Sequence, residues 1–170
     1  MIGFLLLPLI AAYPYMKRIT WWPQAFLGLN FASGALIGWA SIETTLHWPA
    51  LILYLAGIAW VVAYDTVYAH MDAKDDALIG IKSTALHWGP DSKKYIGIGW
   101  AVTVILFGLA LYLVQAPFLS YAMLFVAAMV LATAHGMWKP ENAEFSLRFF
   151  RLQNQVGMIL ALAALAPVMF

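Results

Sequence analysis

The chain has 170 residues, 64% of them apolar and only 10% charged, with a mean hydropathy of +0.82. A soluble domain is about half apolar and roughly a quarter charged, so this chain lacks the polar residues to cover a water-facing surface, and a bilayer is its expected solvent. The net charge of +1 gives no reason to expect nucleic acid as a partner, and the absence of cysteine excludes disulfides, thiolate metal sites and cysteine nucleophiles.

A helix needs about 20 predominantly apolar residues to cross a hydrocarbon core. On that measure six spans are predicted, at 2–15, 22–41, 49–69, 94–114, 117–137 and 152–169, which makes the fold class an all-α integral membrane protein. The opening MIGFLLLPLIAAYPYMKR has no basic n-region and no small-residue cleavage site, and its Lys17–Arg18 pair follows the apolar run. It reads as a membrane helix rather than a signal peptide, though a short one interrupted by Pro8 and Pro14. Pro23, Pro49 and Pro117 stand near helix starts, where the missing N–H costs nothing. No linker, repeat or low-complexity tract divides the chain, so residues 1–170 are read as one membrane domain.

All nine Lys and Arg residues fall in alternate connections: Lys17 and Arg18 in the first, Lys74, Lys82, Lys93 and Lys94 in the third, Lys139, Arg148 and Arg151 in the fifth. The connections at 42–48 and 115–116 contain Glu43 and no basic residue. The positive-inside rule makes the basic side cytoplasmic, or the matrix side in an organelle. With six spans the N-terminus would then lie outside, and an odd number of additional upstream helices would return it to the inside. Parity and the short first span together lead to the expectation that the chain lacks an N-terminal part.

The stretch from Tyr64 to Ser83, YDTVYAHMDAKDDALIGIKS, holds Asp65, Asp72, Asp75 and Asp76, half of the eight acidic residues of the chain. Charge at a membrane helix end is a functional-site hypothesis by default. If the third helix continues past the bilayer, Asp72 returns to within about 20° of Asp65 and Asp76 lies one turn further. Three carboxylates then share a face while Asp75 points aside. Carboxylates one turn apart are hard oxygen ligands suited to Mg²⁺, which is commonly held by one or two carboxylates together with a substrate's phosphates. Against this stands an ordinary solvated acidic loop. Lys82 and Arg18 can address phosphate oxygens or simply anchor the chain at the interface. Tyr64 and Tyr68 flank Asp65 and can line a cavity for an apolar chain or a cation, or merely pack. His47, His87 and His135 are read as interfacial histidines and His70 as the one inside the motif; Trp21, Trp22, Trp48, Trp88 and Trp138 are read as an aromatic belt.

The segment YDTVYAHMDAKDDALIGIKSTAL resembles the second aspartate-rich motif of UbiA-type membrane prenyltransferases, in particular the 4-hydroxybenzoate polyprenyltransferase branch of ubiquinone biosynthesis. YPYMKRITWWPQAFLGLNFASG is similar to the same branch in its YP-x-MKR loop and PQ-x3-G helix opening. The resemblance implies that Asp72 and Asp76 bind Mg²⁺ and diphosphate. It implies further that Asp65, Arg18 and Lys82 take part in catalysis and that Lys17, Arg18 and Lys82 contact substrate, with Tyr64 and Tyr68, from their place beside Asp65, expected to line the substrate cavity. The implied partners are polyprenyl diphosphate, 4-hydroxybenzoate and membrane lipid, in the inner membrane of a bacterium with the site facing the cytoplasm, or in that of a mitochondrion. The family's first motif, N-D-x2-D-x3-D, has no counterpart in the sequence, so the chain aligns with helices four to nine of a nine-helix bundle and little turnover is expected from it alone. An inactive remnant of such an enzyme is the runner-up, followed by a cation-binding or transport protein, which would place charge near mid-bilayer. The D-G-x2-A-R core of CDP-alcohol phosphotransferases is absent.

Overall fold

The computed structural model describes residues 2–43 and 45–169. The described residues form helices joined by short loops, with no strand among them: α1 Ile2–Ile19, α2 Pro23–Ala40, α3 Trp48–Ile79, α4 Thr84–Trp88, a 3-10 turn Gly89–Asp91, α5 Ser92–Leu113, α6 Phe118–Met137 and α7 Ala143–Met169. Six are long. Among the described residues, four stretches are long and apolar enough to cross a membrane: α3, the run Thr84–Leu113, α6, and α7 as far as Pro167. The remaining two expected spans are helices of 18 residues each, and α2 falls short because Gln24, Asn30 and Ser33 dilute its apolar sequence. Pro8 and Pro14 do not break α1, which runs through both; membrane helices tolerate proline where the freed carbonyls are satisfied locally.

Two helices are longer than their spans. The third continues through the acidic stretch to Ile79 and stops at Gly80, whose left-handed φ of 75° would strain any other residue. The Gly80 and Ile81 N–H groups both donate to the Asp76 carbonyl. The seventh begins at Ala143 rather than near 152, because the Asn142 side chain caps it, accepting from Glu144 N at 2.9 Å and Phe145 N at 3.1 Å. Arg148 and Arg151 therefore stand on a helix, not in a loop.

Central α3 packs against α2, α5 and α7, while α1 leans on α2 and α6 joins α5 to α7. Close approach at these crossings depends on missing side chains. A Cβ on Gly57 would lie 2.8 Å from Ala32 Cβ of α2, and one on Gly157 of α7 would lie 2.7 Å from the Trp60 ring. Small residues at helix crossings let backbones approach where lipid offers no hydrophobic drive to association. The core behind them is filled by Val67, Ile96, Trp100, Leu131, Phe149 and Val156. Trp138, expected in the interfacial belt, is instead 1% exposed. Its indole N–H donates to Ser146 Oγ at 3.0 Å, which satisfies the one polar group that burying a tryptophan leaves over.

The basic connections meet at one end of the bundle. Lys82 N donates to the Lys17 carbonyl at 2.8 Å, the His87 ring stacks on Trp21 and lies edge-on to Trp22, and the Lys93 ammonium closes the C-terminus of α6 on the carbonyls of Gly136 and Trp138. We predict that Gly57→Leu destabilises the protein in detergent by about 2 kcal/mol through overpacking. Gly34→Ala, in the same helix layer but facing open space, should be neutral or stabilising by up to about 1 kcal/mol. Thermal unfolding of the two purified variants checks this.

Candidate active site

The site is built on the end of α3 that projects beyond its apolar part. Asp65 is half-buried, Asp72 and Asp75 are exposed and Asp76 is half-buried. Helical spacing puts Asp65, Asp72 and Asp76 on one face, and the last turn of α1 brings Lys17 within electrostatic reach of two of them. Lys17 is the cation whose charge acts on both Asp65 and Asp76. Tyr13 of α1 and Tyr64 lie within electrostatic reach of Asp65. Among the described residues the one salt bridge is Arg148–Glu144, at 2.6 Å. The carboxylates of the acidic face are therefore not neutralised by an ion pair, and Asp72, Asp75 and Asp76 repel one another as Asp76 enters their shared field.

Lys82 leaves α3 through the Gly80 turn and folds back against α1. Its backbone holds the Lys17 carbonyl, and its ammonium donates to the Ile19 carbonyl at 3.2 Å while lying over the Trp21 ring, 5.7 Å from the centroid. An ammonium has three donors, so the bond to Ile19 leaves two for another acceptor. Arg18 is exposed beside this edge. The structure thus gathers Lys17, Lys82 and the Asp65/Asp76 face, and leaves Arg18 at their solvent margin.

Tyr64 and Tyr68 face the other way, toward α7. Tyr64 packs edge-on against Trp60 and Phe150, with centroids 5.5 and 5.8 Å apart, and Tyr68 lies 4.8 Å from Phe150. Tyr64 also lines an apolar cavity of about 380 Å³ between α2, α3, α5 and α7, walled by Phe31, Leu53, Trp60, Phe107 and Leu160. A second, more polar opening shares Trp60 and Tyr64 with it and adds Arg151, Gln153 and Asn154. Tyr64 therefore stands where an apolar, membrane-depth cavity meets polar groups, whereas Tyr68 packs on Phe150. His70 lies edge-on to Trp138 at 5.2 Å and lines a separate groove with Lys74 and Glu141, away from the Lys17 edge.

The donor chemistry suits Mg²⁺. Asp72 and Asp76, one turn apart and free of ion pairs, are the pair that would hold it. No group of three or more His, Asp or Glu converges among the described residues, so a cation there must complete its shell with water or with a ligand's own oxygens, as Mg²⁺ commonly does.

The sequence matches the profile described as the UbiA prenyltransferase family over residues 1–164. The chain belongs to the UbiA prenyltransferase family. Its fold is that of the apo structure of a UbiA homolog from Aeropyrum pernix K1, with a TM-score of 0.78 at 22% identity, covering 96% of this chain and 62% of that one. Among curated relatives, the mitochondrial 4-hydroxybenzoate polyprenyltransferase of Bos taurus is 50% identical over 106 residues, 61% of this chain and 28% of the relative. Those of Aedes aegypti and Homo sapiens are each 48% identical, over 58% and 57% of this chain and 22% and 26% of their own lengths. The chain thus aligns with about a quarter of the length of these relatives. Like other members of the family, it is a multi-pass membrane protein.

Sequence reading alone missed Gln24, Thr66, Thr84 and Gln153, all of them buried. Their only signal is a polar letter inside an apolar or motif segment. Gln153 bridges α7 to α3, accepting from Trp60 Nε1 at 2.9 Å and donating to the Phe149 carbonyl at 3.3 Å. We predict that Gln153→Leu, which leaves the Trp60 N–H without its partner, lowers stability by about 1–3 kcal/mol. Adding Trp60→Phe should cost less than the sum of the two single changes, measured by thermal unfolding of the four proteins in a double-mutant cycle.

Proposed function

We propose that the chain forms the acidic side of the active site of an aromatic prenyltransferase, transferring a polyprenyl group from polyprenyl diphosphate to the ring of 4-hydroxybenzoate in ubiquinone biosynthesis. The observation that carries the reading is the juxtaposition at the end of α3. Asp72 and Asp76 are carboxylates without ion pairs, the Lys17 charge acts on Asp76, the Lys82 backbone is bonded to Lys17, and Tyr64 beside Asp65 opens onto an apolar cavity. An anionic head and an apolar tail are the two halves of a polyprenyl diphosphate. The names of the relatives supply the acceptor.

In this reading Asp72 and Asp76 hold Mg²⁺, which when bound neutralises diphosphate oxygens and so assists departure of the leaving group. Lys17, Lys82 and Arg18 donate to the same diphosphate, stabilising charge that grows as the allylic C–O bond breaks and its electron pair leaves with the diphosphate. The ring carbon ortho to the phenol supplies a π pair to form the new C–C bond, and the ring proton passes to a base. Asp65, half-buried beside Tyr13 and Tyr64, is the group placed to accept that proton or to orient the phenol. Trp60, Tyr64 and Phe107 keep water from the allylic carbon. The positive-inside rule places this end on the cytoplasmic side of a bacterial inner membrane, or the matrix side of a mitochondrial one.

Asp72→Ala and Asp76→Ala should each lower Mg²⁺-dependent transfer by roughly a hundredfold or more, with Asp75→Ala close to wild type. Because little turnover is expected from the chain alone, the measurement is incorporation of labelled 4-hydroxybenzoate into lipid in membranes from cells expressing these changes in a full-length protein that also carries the N-D-x2-D-x3-D motif. Unchanged transfer in Asp72→Ala overturns the site assignment.

A further inference from the structure

The loop Gly80–Ser83, which carries Lys82, is short, polar and at the membrane surface, yet it is fastened from below by side chains that touch no solvent. Thr66 and Thr84 are 0% exposed and Gln24 is 1% exposed. The Thr66 and Thr84 hydroxyls meet at 2.5 Å, and Thr66 Oγ1 lies 2.6 Å from the Val62 carbonyl. A carbonyl can only accept, so Thr66 spends its single proton on Val62, and Thr84 must donate its own to Thr66. The Thr84 backbone N–H donates to Gln24 Oε1 at 3.1 Å, which fixes that amide's orientation. Every proton in the chain Thr84–Thr66–Val62 and Thr84–Gln24 thus has one direction. Three elements meet there: the start of α2 at Gln24, the middle of α3 at Thr66, and the first residue of α4 at Thr84.

This arrangement is costly unless it sets a position. Threonine hydroxyls and a glutamine amide in a membrane protein's interior stabilise only when fully satisfied, and an apolar contact would fill the same space. What the arrangement places is the loop. Just before Thr84, Ser83 Oγ accepts from Leu86 N at 3.3 Å; at the other end Gly80 and Ile81 hold the Asp76 carbonyl. Between these ends Lys82 rests with its backbone on Lys17 and its ammonium on Ile19. Thr66 is also the residue next to Asp65, so one buried group ties the register of the acidic face to that of the basic edge.

We propose that Gln24, Thr66 and Thr84 are positioning residues: a buried polar latch that holds the Lys82 loop and the Lys17 turn at a fixed separation from the Asp72/Asp76 face, and so sets affinity for the diphosphate head. The proposal rests on the reading of this face as a diphosphate site. It is tested on the purified chain in detergent with Thr66→Val, Gln24→Leu and the conservative Thr66→Ser. Two readouts are taken: amide hydrogen exchange of residues 81–85, and calorimetric binding of geranyl diphosphate with Mg²⁺. In Thr66→Val and Gln24→Leu, exchange should speed up and Kd should rise roughly tenfold while the number of binding sites per chain stays at the wild-type value. Thr66→Ser should restore both. Exchange that does not change refutes the latch. Faster exchange with an unaltered Kd, or fewer sites at the same Kd, shows a purely structural role and overturns the positioning claim. A wild-type chain that binds no geranyl diphosphate refutes the reading of the site, and positioning with it, while the exchange data still decide whether the latch exists.

Discussion

The structure depends on a helix that outruns the bilayer. At 1.5 Å per residue the 32 residues of α3 extend about 48 Å, against a hydrocarbon core of about 30 Å. The excess of roughly three turns carries Asp72, Asp75 and Asp76 out of the lipid without breaking the helix, so their positions are fixed by the same backbone that packs α2, α5 and α7. A flexible loop with the same residues would let the carboxylates separate. A continuous helix forbids this and leaves a repulsion that a cation can relieve. The short loop after Gly80 then returns at once, bringing Lys82 to the end of α1.

The two ends of α3 perform different physical work. Within the lipid it is a crossing helix whose Gly57 and Ala63 admit close neighbours, and its exposed charge is nil as far as Asp65. Beyond Asp65 it is an acidic rod flanked by cations on other elements. Tyr64 and Asp65, adjacent in sequence, point about 100° apart on the helix. One therefore opens onto the apolar cavity toward α7 while the other faces Lys17 on α1. A ligand with an anionic head and an apolar tail would bend across this helix, and the change of environment at Tyr64 and Asp65 marks the point where it turns.

Much of this was legible in the sequence because it is periodic or local. Hydropathy placed the helices, and the confinement of every Lys and Arg to alternate connections predicted the cluster of basic loops that the Lys17, Lys82 and Lys93 bonds now join. Helical phase separated Asp75 from its neighbours. The errors came where a partner lies far along the chain. Trp138 looked interfacial because nothing local shows that Ser146 awaits its indole N–H. Pro8 and Pro14 read as breaks only by the rule for soluble helices, whereas α1 runs through both. Hydropathy gave no sign that a polar residue of α2 serves a distant contact: Gln24 meets Thr84, 60 positions later. Asn142 and Glu144 carried a readable cap, and it explains the early start of α7 better than hydropathy does.

The central claim is that Asp72 and Asp76 hold a divalent cation which in turn holds a diphosphate. Pulsed electron paramagnetic resonance with Mn²⁺ in place of Mg²⁺ tests it directly on the detergent-solubilised chain. With geranyl diphosphate present, the account predicts ³¹P hyperfine coupling to bound Mn²⁺ that disappears in the Asp72→Ala/Asp76→Ala double variant and persists in Asp75→Ala. The same coupling retained in the double variant would place the cation elsewhere and contradict the account.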